Sequence, residues 1–321
     1  MPSDVAMRWT VHYAVAEDDP ELIQLFSQVF GHPMPIEQWR WKYAAASVRG
    51  VVLRREGKAV AFFGGMPRQC TGPAGRLTAV QNGDVMVLPS ERGVFTRQGA
   101  LHHAATAFFA QFVGPSALYE FAFGFPNERH FRLGIKLGLY ADSGRLMELS
   151  WSAFANQNSA GAVTSALKIT ELDSTVKVLW SQMVRSWSRH FIPDRDAARW
   201  RARFVMHPIH RYDLLVVRRG LFRKPLCAIV LREHAAHIEW LDYVGPLESV
   251  SLGINAARNF ASEHGNKPVM AMFTRNIVSV FSESATCVES NICIPVNSRK
   301  SNEPRPYLDN LWCMGGDTDF L

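Results

Sequence analysis

Apolar residues recur at Leu101, Ala104, Ala105, Phe108 and Phe112. They form one stripe of a helix, and the spacing predicts a helix over about 96–113. The same period runs through ELIQLFSQVF (21–30) and VKVLWSQMVRSW (176–187). Elsewhere the runs shorten to strands. VVLRR with AVAFFGG (51–65) reads as one hairpin-like pair, and LLVVRR with PLCAIVLR (214–232) as a second. LTAVQNGDVMVL (77–88) reads as a third strand, ALYEFAFGF (117–125) as a buried one, and NERHFRLGIKLGL as a helix finishing at Gly138. Hairpins followed by a strand–helix–strand step predict a mixed α/β sheet, α+β in character, rather than a doubly wound parallel one.

The pattern occurs twice. Trp39-Arg40-Trp41-Lys42-Tyr43 matches Trp200-Arg201-Ala202-Arg203-Phe204, and Val52-Leu53-Arg54-Arg55 matches Val216-Val217-Arg218-Arg219. Each copy follows an amphipathic helix and precedes a hairpin, as a duplicated domain would. MELSWSAF (147–154) reads as the last strand of the first copy and NQNSAGA (156–162) as a linker. The expected domains are therefore 1–155 and 156–321. In the second copy HIEWLDYV and the helix after it take the place of the third strand and its helix, but no Arg-Gly loop joins them.

Composition narrows the class. Lys and Arg number 35 against 29 Asp and Glu, a net charge of +6. These charges are scattered, so nucleic acid is not indicated, whereas an anionic small molecule suits the balance. Five cysteines without a CxxC imply free thiols in a reducing compartment. The N-terminus carries no apolar signal-like region, and no run is long enough for a membrane span, so a cytoplasmic location is expected. His207-x-x-His210 and the pair Asp317 and Asp319 have no companion ligands at metal-like spacing, and no metal is expected.

Between the third strand and its helix lies PSERGVFTRQG (89–99). A helix N-terminus attracts phosphate, Gly93 permits close backbone approach, Arg92 and Arg97 add charged donors, and Thr96 can cap the helix. An ordinary turn with two solvated arginines is the alternative reading.

The order strand, Pro, Arg-Gly loop, helix, strand ending FGFPN, helix and Gly138 resembles the Gcn5-related N-acetyltransferase superfamily. Val87-Leu88-Pro89, Asn127 and Gly138-Leu139 carry the likeness, over residues 10–150. The resemblance implies two tandem acetyltransferase-like domains, the second degenerate. It implies acetyl-CoA, or another acyl-CoA, as co-substrate, with its pyrophosphate at Arg92, Gly93, Val94, Phe95, Thr96 and Arg97 and with Asn127 completing the site. An oxyanion would meet a backbone N–H at Val87 or Leu88. The acceptor would be an amine of a small molecule or sugar precursor, attacking the thioester directly. Two features depart from the pattern. Phe95 stands where a small residue is usual, and Gly134 stands where the family places a proton-donating Tyr. Tyr140 is a candidate substitute. Asp84 and Glu120, in mostly apolar strands, are candidate bases or else sheet-end carboxylates. A non-catalytic acyl-CoA-binding scaffold and an aminoacyl-tRNA-dependent transferase of related tandem fold are the rival readings.

Overall fold

A computed structural model describes residues 8–92, 97–154, 161–219, 224–298 and 310–318. In chain order the elements are β1 (Thr10–Ala14), α1 (Asp19–Phe30), α2 (Ile36–Lys42), β2 (Gly50–Arg55), β3 (Lys58–Gly72), β4 (Gly75–Val87), α3 (Ala100–Phe112), β5 (Phe121–Gly124), α4 (Glu128–Lys136) and β6 (Ala141–Trp151). There follow β7 (Ala162–Ala166), α5 (Ile169–Ser186), β8 (Ile192–Pro193), α6 (Ala197–Trp200), β9 (Asp213–Arg219), β10 (Lys224–Glu233), β11 (Ile238–Val244), α7 (Val250–Glu263), β12 (Val269–Thr274), α8 (Val278–Phe281) and β13 (Thr286–Asn297). The chain forms two compact units. The first comprises 1–68, 78–142 and 294–304, the second 69–77, 143–293 and 305–321. No helix among the described residues is long and apolar enough to cross a membrane.

The first unit is built on a mixed sheet in the order β1-β2-β3-β4-β5. β1, β2 and β3 are antiparallel neighbours, while β4 and β5 run parallel. On one face, α1 and α2 cover a cluster that includes Leu22, Leu25, Phe26, Trp39, Tyr43, Phe62 and Met86. On the other, α3 lays Ala104, Ala105, Phe108 and Phe112 against Val51, Leu53, Phe63 and Val80. The stripe predicted for α3 is thus its buried face. Its start differs from expectation: Gly99, in extended conformation, is the N-cap, and the helix opens at Ala100 rather than near Thr96.

α1 shows how local sequence sets an element. Pro20 and two acidic residues occupy its first turn, and Gly31 ends it at φ +78°, where the amide donates to the Ser27 carbonyl. Its buried Asp19 accepts from Trp39 Nε1 at 2.9 Å and Arg49 Nε at 3.2 Å. The Trp-Arg-x-Lys-Tyr motif is therefore a core anchor, with Trp39 and Tyr43 both fully buried. Removing one partner of such a buried ion pair costs about 3–5 kcal/mol.

In the second unit the corresponding order is α5, α6 with a π-helical turn over Arg201–Val205, then β9 and β10. Trp200 and Phe204 are buried with Leu172, Val176, Leu179 and Met183 of α5. The sheet runs β7-β9-β10-β11-β12-β6, with β11 and β12 parallel. The turn after Phe204 buries His207, whose Nδ1 accepts from the amides of Ile209 and His210. Burial, and then Arg203, His210 and Arg232, push this imidazole down to about 4.

An unfolded histidine titrates near 6.5. Between that value and about 4 the unfolded chain binds the extra proton, so the contribution of His207 is complete above pH 6.5 and is lost as the pH falls towards 4. Urea denaturation at pH 7, 6, 5 and 4 checks this: His207→Asn, which keeps the acceptor without the proton, is expected to flatten the fall seen in the parent.

Candidate functional site

β4 and β5 pair over only four positions, Ala79↔Phe121 to Asn82↔Gly124. There they part. Gly124 sits so close that a Cβ on it would lie 2.9 Å from the Asn82 carbonyl oxygen. β5 stops at Gly124 and Pro126 follows, while β4 continues to Val87. Just past the last pair, Asp84 adopts φ +48°, a left-handed conformation that bends the strand. Its carboxylate is fastened on both oxygens: Lys42 Nζ donates to Oδ1 at 2.7 Å and Tyr43 Oη to Oδ2 at 2.9 Å. Lys42 and Asp84 are almost completely shielded from solvent.

Beyond the bend, alternation of the backbone separates two amides. Leu88 N–H donates to the Val60 carbonyl of β3 at 2.9 Å and is thereby committed. The neighbouring residue, Val87, must face the other way, towards the side that β5 has left. Its carbonyl accepts from Arg92 Nε at 2.8 Å on that side. Of the two expected oxyanion donors, only Val87 therefore faces the opening.

A cavity of about 350 Å³ lies at this end of the first unit. Val29 and Phe30 of α1, Val85 and Val87 of β4, Leu101 of α3, and Leu133 and Leu137 of α4 form its apolar wall. Its polar lining is Glu91, Arg92, His102, Asn127, Arg129 and His130. Asn127 caps α4, its side chain accepting from His130 N–H at 3.0 Å, so its carbonyl oxygen is already in use. Glu91 is buried and held by Trp9 Nε1 at 2.9 Å, Arg8 at 2.8 Å and Arg55 at 2.9 Å. Burial alone would raise this carboxyl, but Arg55, Trp9 and Arg8 outweigh it and keep Glu91 ionised below the usual range. Arg97 stands just before α3, its guanidinium 3.9 Å from where a Gly138 Cβ would be. Gly93, Val94, Phe95 and Thr96 lie outside the described residues.

The remaining candidates are spread apart. Glu120 is exposed, and its amide donates to Thr78, before the first β4–β5 pair. Val87 is nine residues further along β4, about 30 Å for an extended strand, so Glu120 is at the opposite end. Tyr140 does not line the cavity. It packs edge-on against Phe109, and burial pushes its hydroxyl up to about 12, so it stays protonated. Its ring lies directly over Gly134: a Cβ there would be 1.8 Å from a Tyr140 ring carbon. Arg129, His130 and Glu91 were not singled out from the sequence. The signal for the first two is their place beside Asn127, in the first turn of α4.

The second unit repeats the strand–helix–strand step. β11 and β12 pair from Ile238↔Val269 to Trp240↔Ala271 and then separate. The connection to α7 begins Gly245-Pro246-Leu247-Glu248, with no basic side chain. Here the gap is closed from within. Thr274 N–H donates to the Cys313 carbonyl, Phe273 bridges to Met314, and Gly316 packs so tightly that a Cβ would lie 2.7 Å from the Leu241 carbonyl oxygen. Arg195 fixes this segment by donating to Asp242 and Asp317, and Arg203 donates to the carbonyls of Gly316 and Thr318.

This fold is similar to that of several solved structures. A conserved protein of Enterococcus faecalis V583, described as a probable N-acyltransferase of unknown function, is 10% identical with a TM-score of 0.67, over 90% of this chain and 72% of that one. A GCN5-related N-acetyltransferase of Kribbella flavida is 12% identical with a TM-score of 0.65, over 92% and 72%. The N-myristoyltransferase of Saccharomyces cerevisiae, with bound myristoyl-CoA, is 10% identical with a TM-score of 0.55, over 93% and 84%. The chain thus has the fold of GCN5-related N-acetyltransferases and N-myristoyltransferases, in a two-unit mixed α/β form. No family model matches the sequence, and no curated protein matches it.

The contact between Gly134 and Tyr140 makes a double-mutant test. Gly134→Ala forces the Tyr140 ring aside and is expected to cost about 1–3 kcal/mol or more. Gly134→Ala added to Tyr140→Ala is expected to cost far less than the sum of the two single changes, as measured by chemical denaturation.

Proposed function

We propose that the chain is an acyl-CoA-dependent N-acyltransferase whose first unit holds the co-substrate, with acetyl-CoA as the first donor to try and longer acyl-CoAs next. The observation that carries the reading is the cavity at the parting of β4 and β5. It pairs an apolar wall with a basic end, as a phosphorylated carrier with an apolar arm requires. Arg92, Arg97 and the loop between them take the pyrophosphate, with Arg129 beside them. The Val87 amide receives the oxygen of the thioester carbonyl as negative charge develops there.

In this reading a neutral amine attacks the thioester carbon, the C–N bond forms, the C–S bond breaks, and the thiolate departs with the electron pair. The amine proton passes to water. We assign Asp84, with both oxygens engaged, to holding the bend, and Tyr140 to packing over Gly134 in a protonated state. Glu120 receives no part in the step. Rate then comes from positioning and from the amide that meets the oxyanion rather than from a dedicated acid. The acceptor class, a small-molecule or sugar-precursor amine, is assigned on likeness of fold. In the second unit residues 313–316 fill the corresponding parting, and we assign no co-substrate to it.

One alternative has its own support. Gly134 under Tyr140 and the remoteness of Glu120 keep both of these candidate groups away from the cavity, which favours a protein that binds acyl-CoA without turning it over. Calorimetric titration with acetyl-CoA is expected to give micromolar binding. Arg92→Glu combined with Arg97→Glu is expected to weaken it about 100-fold or more, since each lost charge-assisted bond is worth roughly 1.5–3 kcal/mol. No binding of acetyl-CoA or longer acyl-CoAs overturns the reading. Binding with no free thiol released across an amine panel selects the non-catalytic alternative.

A further inference from the structure

The cavity of the first unit holds two histidines that the acyl-transfer reading leaves idle. We propose that binding of a diphosphate-bearing ligand in this cavity is coupled to uptake of protons by His102 and His130, so that affinity rises as the pH falls. This rests on the reading of the cavity as an acyl-CoA site.

The argument begins with the charges that face these two rings. The polar lining sets four basic side chains, Arg92, Arg129, His102 and His130, against one carboxylate, Glu91. That carboxylate already receives Trp9, Arg8 and Arg55 and has little left to offer an imidazole. From the remaining walls, α1 contributes Val29 and Phe30, β4 Val85 and Val87, and the later turns of α4 Leu133 and Leu137, none of which titrates. Glu128, in the first turn of α4, is paired with Arg132 at 2.6 Å. Residues 93–96 read Gly-Val-Phe-Thr and carry no ionisable side chain. Among the described residues, then, no uncommitted anion faces either histidine.

The local field is therefore positive, and both rings respond to it. Burial first, then Arg129 and Arg92, hold His130 below the ordinary histidine range. Burial first, then His103 and Arg97, hold His102 below it, against a smaller opposing bond to the Arg97 backbone. Free protein at neutral pH thus carries both imidazoles uncharged. A diphosphate brings its negative charge to the place where burial and nearby positive charge have excluded the proton. An imidazolium N–H can then donate to a phosphate oxygen, which an unprotonated ring nitrogen cannot. The proton comes from the buffer and stays on the ring while the ligand is bound. With the histidine values higher in the complex than in the free protein, linkage makes binding tighter on the acid side.

The test uses dephospho-coenzyme A, because the phosphate monoester of coenzyme A itself titrates near pH 6. Titration calorimetry of the full chain at pH 7 in PIPES and in Tris, which differ in ionisation enthalpy, gives the number of protons taken up. A positive count is expected for the parent, a smaller one for His102→Gln and for His130→Gln, and none for the double variant. Binding is expected to be about three- to tenfold tighter at pH 6 than at pH 8. Should the double variant fail to fold, NMR titration of the parent's histidines with and without ligand replaces it, and two rings are expected to move up by about one pH unit. Equal heats in both buffers with binding retained, uptake that persists in the double variant, or histidine titrations that ligand does not move would overturn the inference and leave the site reading standing. Failure of the parent to bind both dephospho-coenzyme A and acetyl-CoA overturns the two together.

Discussion

The first unit depends on where β4 ceases to have β5 as a neighbour. A buried strand normally satisfies its amides and carbonyls on both sides, and a strand that loses one partner must find another or open to solvent or ligand. Here the loss is enforced. Gly124 fits against the Asn82 carbonyl only because it has no side chain, and the left-handed Asp84 turns β4 aside two residues later. Lys42 and Tyr43, one turn of chain past Trp39, hold that carboxylate in place. The motif that anchors α2 in the core thus also fixes the bend, and the bend exposes the Val87 backbone.

The second unit meets the same constraint and resolves it differently. Its parallel pair also parts, after Trp240 and Ala271, but residues 313–316 supply the missing hydrogen bonds and fill the space. An unpaired buried backbone group costs about 1–3 kcal/mol, so an opening of this kind is kept only where something else will occupy it. The buried Arg195, set between Asp242 and Asp317, makes the plug part of the core rather than a removable cover. Both units share the geometry, and one of them uses its own chain to close it.

Much of this was legible in the sequence, because it rests on periodicity and on turn chemistry. The stripe of α3, the two hairpins and the two aromatic-basic motifs appear where the pattern puts them. What the sequence concealed depends on distance in space. Glu120 stands just ahead of β5 and Val87 at the end of the parallel β4, and nothing in the runs ALYEFAFGF and LTAVQNGDVMVL says that one sits at the start of the pairing and the other at its far end. Asp84 reads as a carboxylate in an apolar strand, the pattern of a perturbed base, yet Lys42 and Tyr43 arrive from 42 and 41 residues away to pair it. Arg129 and His130 were hidden by their neighbour: Asn127 drew attention as the residue completing the co-substrate site, and the side chains that follow it contribute to the basic end of the cavity.

Glu91 raises the last question, because a buried carboxylate is a poor lining for a cavity that attracts anions. Its partners resolve the conflict. Trp9 comes from just before β1, Arg55 from the end of β2, and Arg8 from the segment ahead of Trp9, so three donors from the opposite edge of the sheet converge on one side chain. Two positive charges more than cancel the one negative charge, and the side chains of Arg8 and Arg55 remain about half exposed at 45% and 46%. What Glu91 supplies is therefore attachment rather than charge. It pins the turn after Pro89 to the first two strands, and that turn carries Arg92 into the opening, where it binds the Val87 carbonyl. An apolar residue at 91 would leave the turn with its local bonds alone, the residue 91 amide to Leu88, the Arg92 amide to Pro89 and the Arg92 side chain to Val87. The cavity keeps its basic end because an acid holds that end in place.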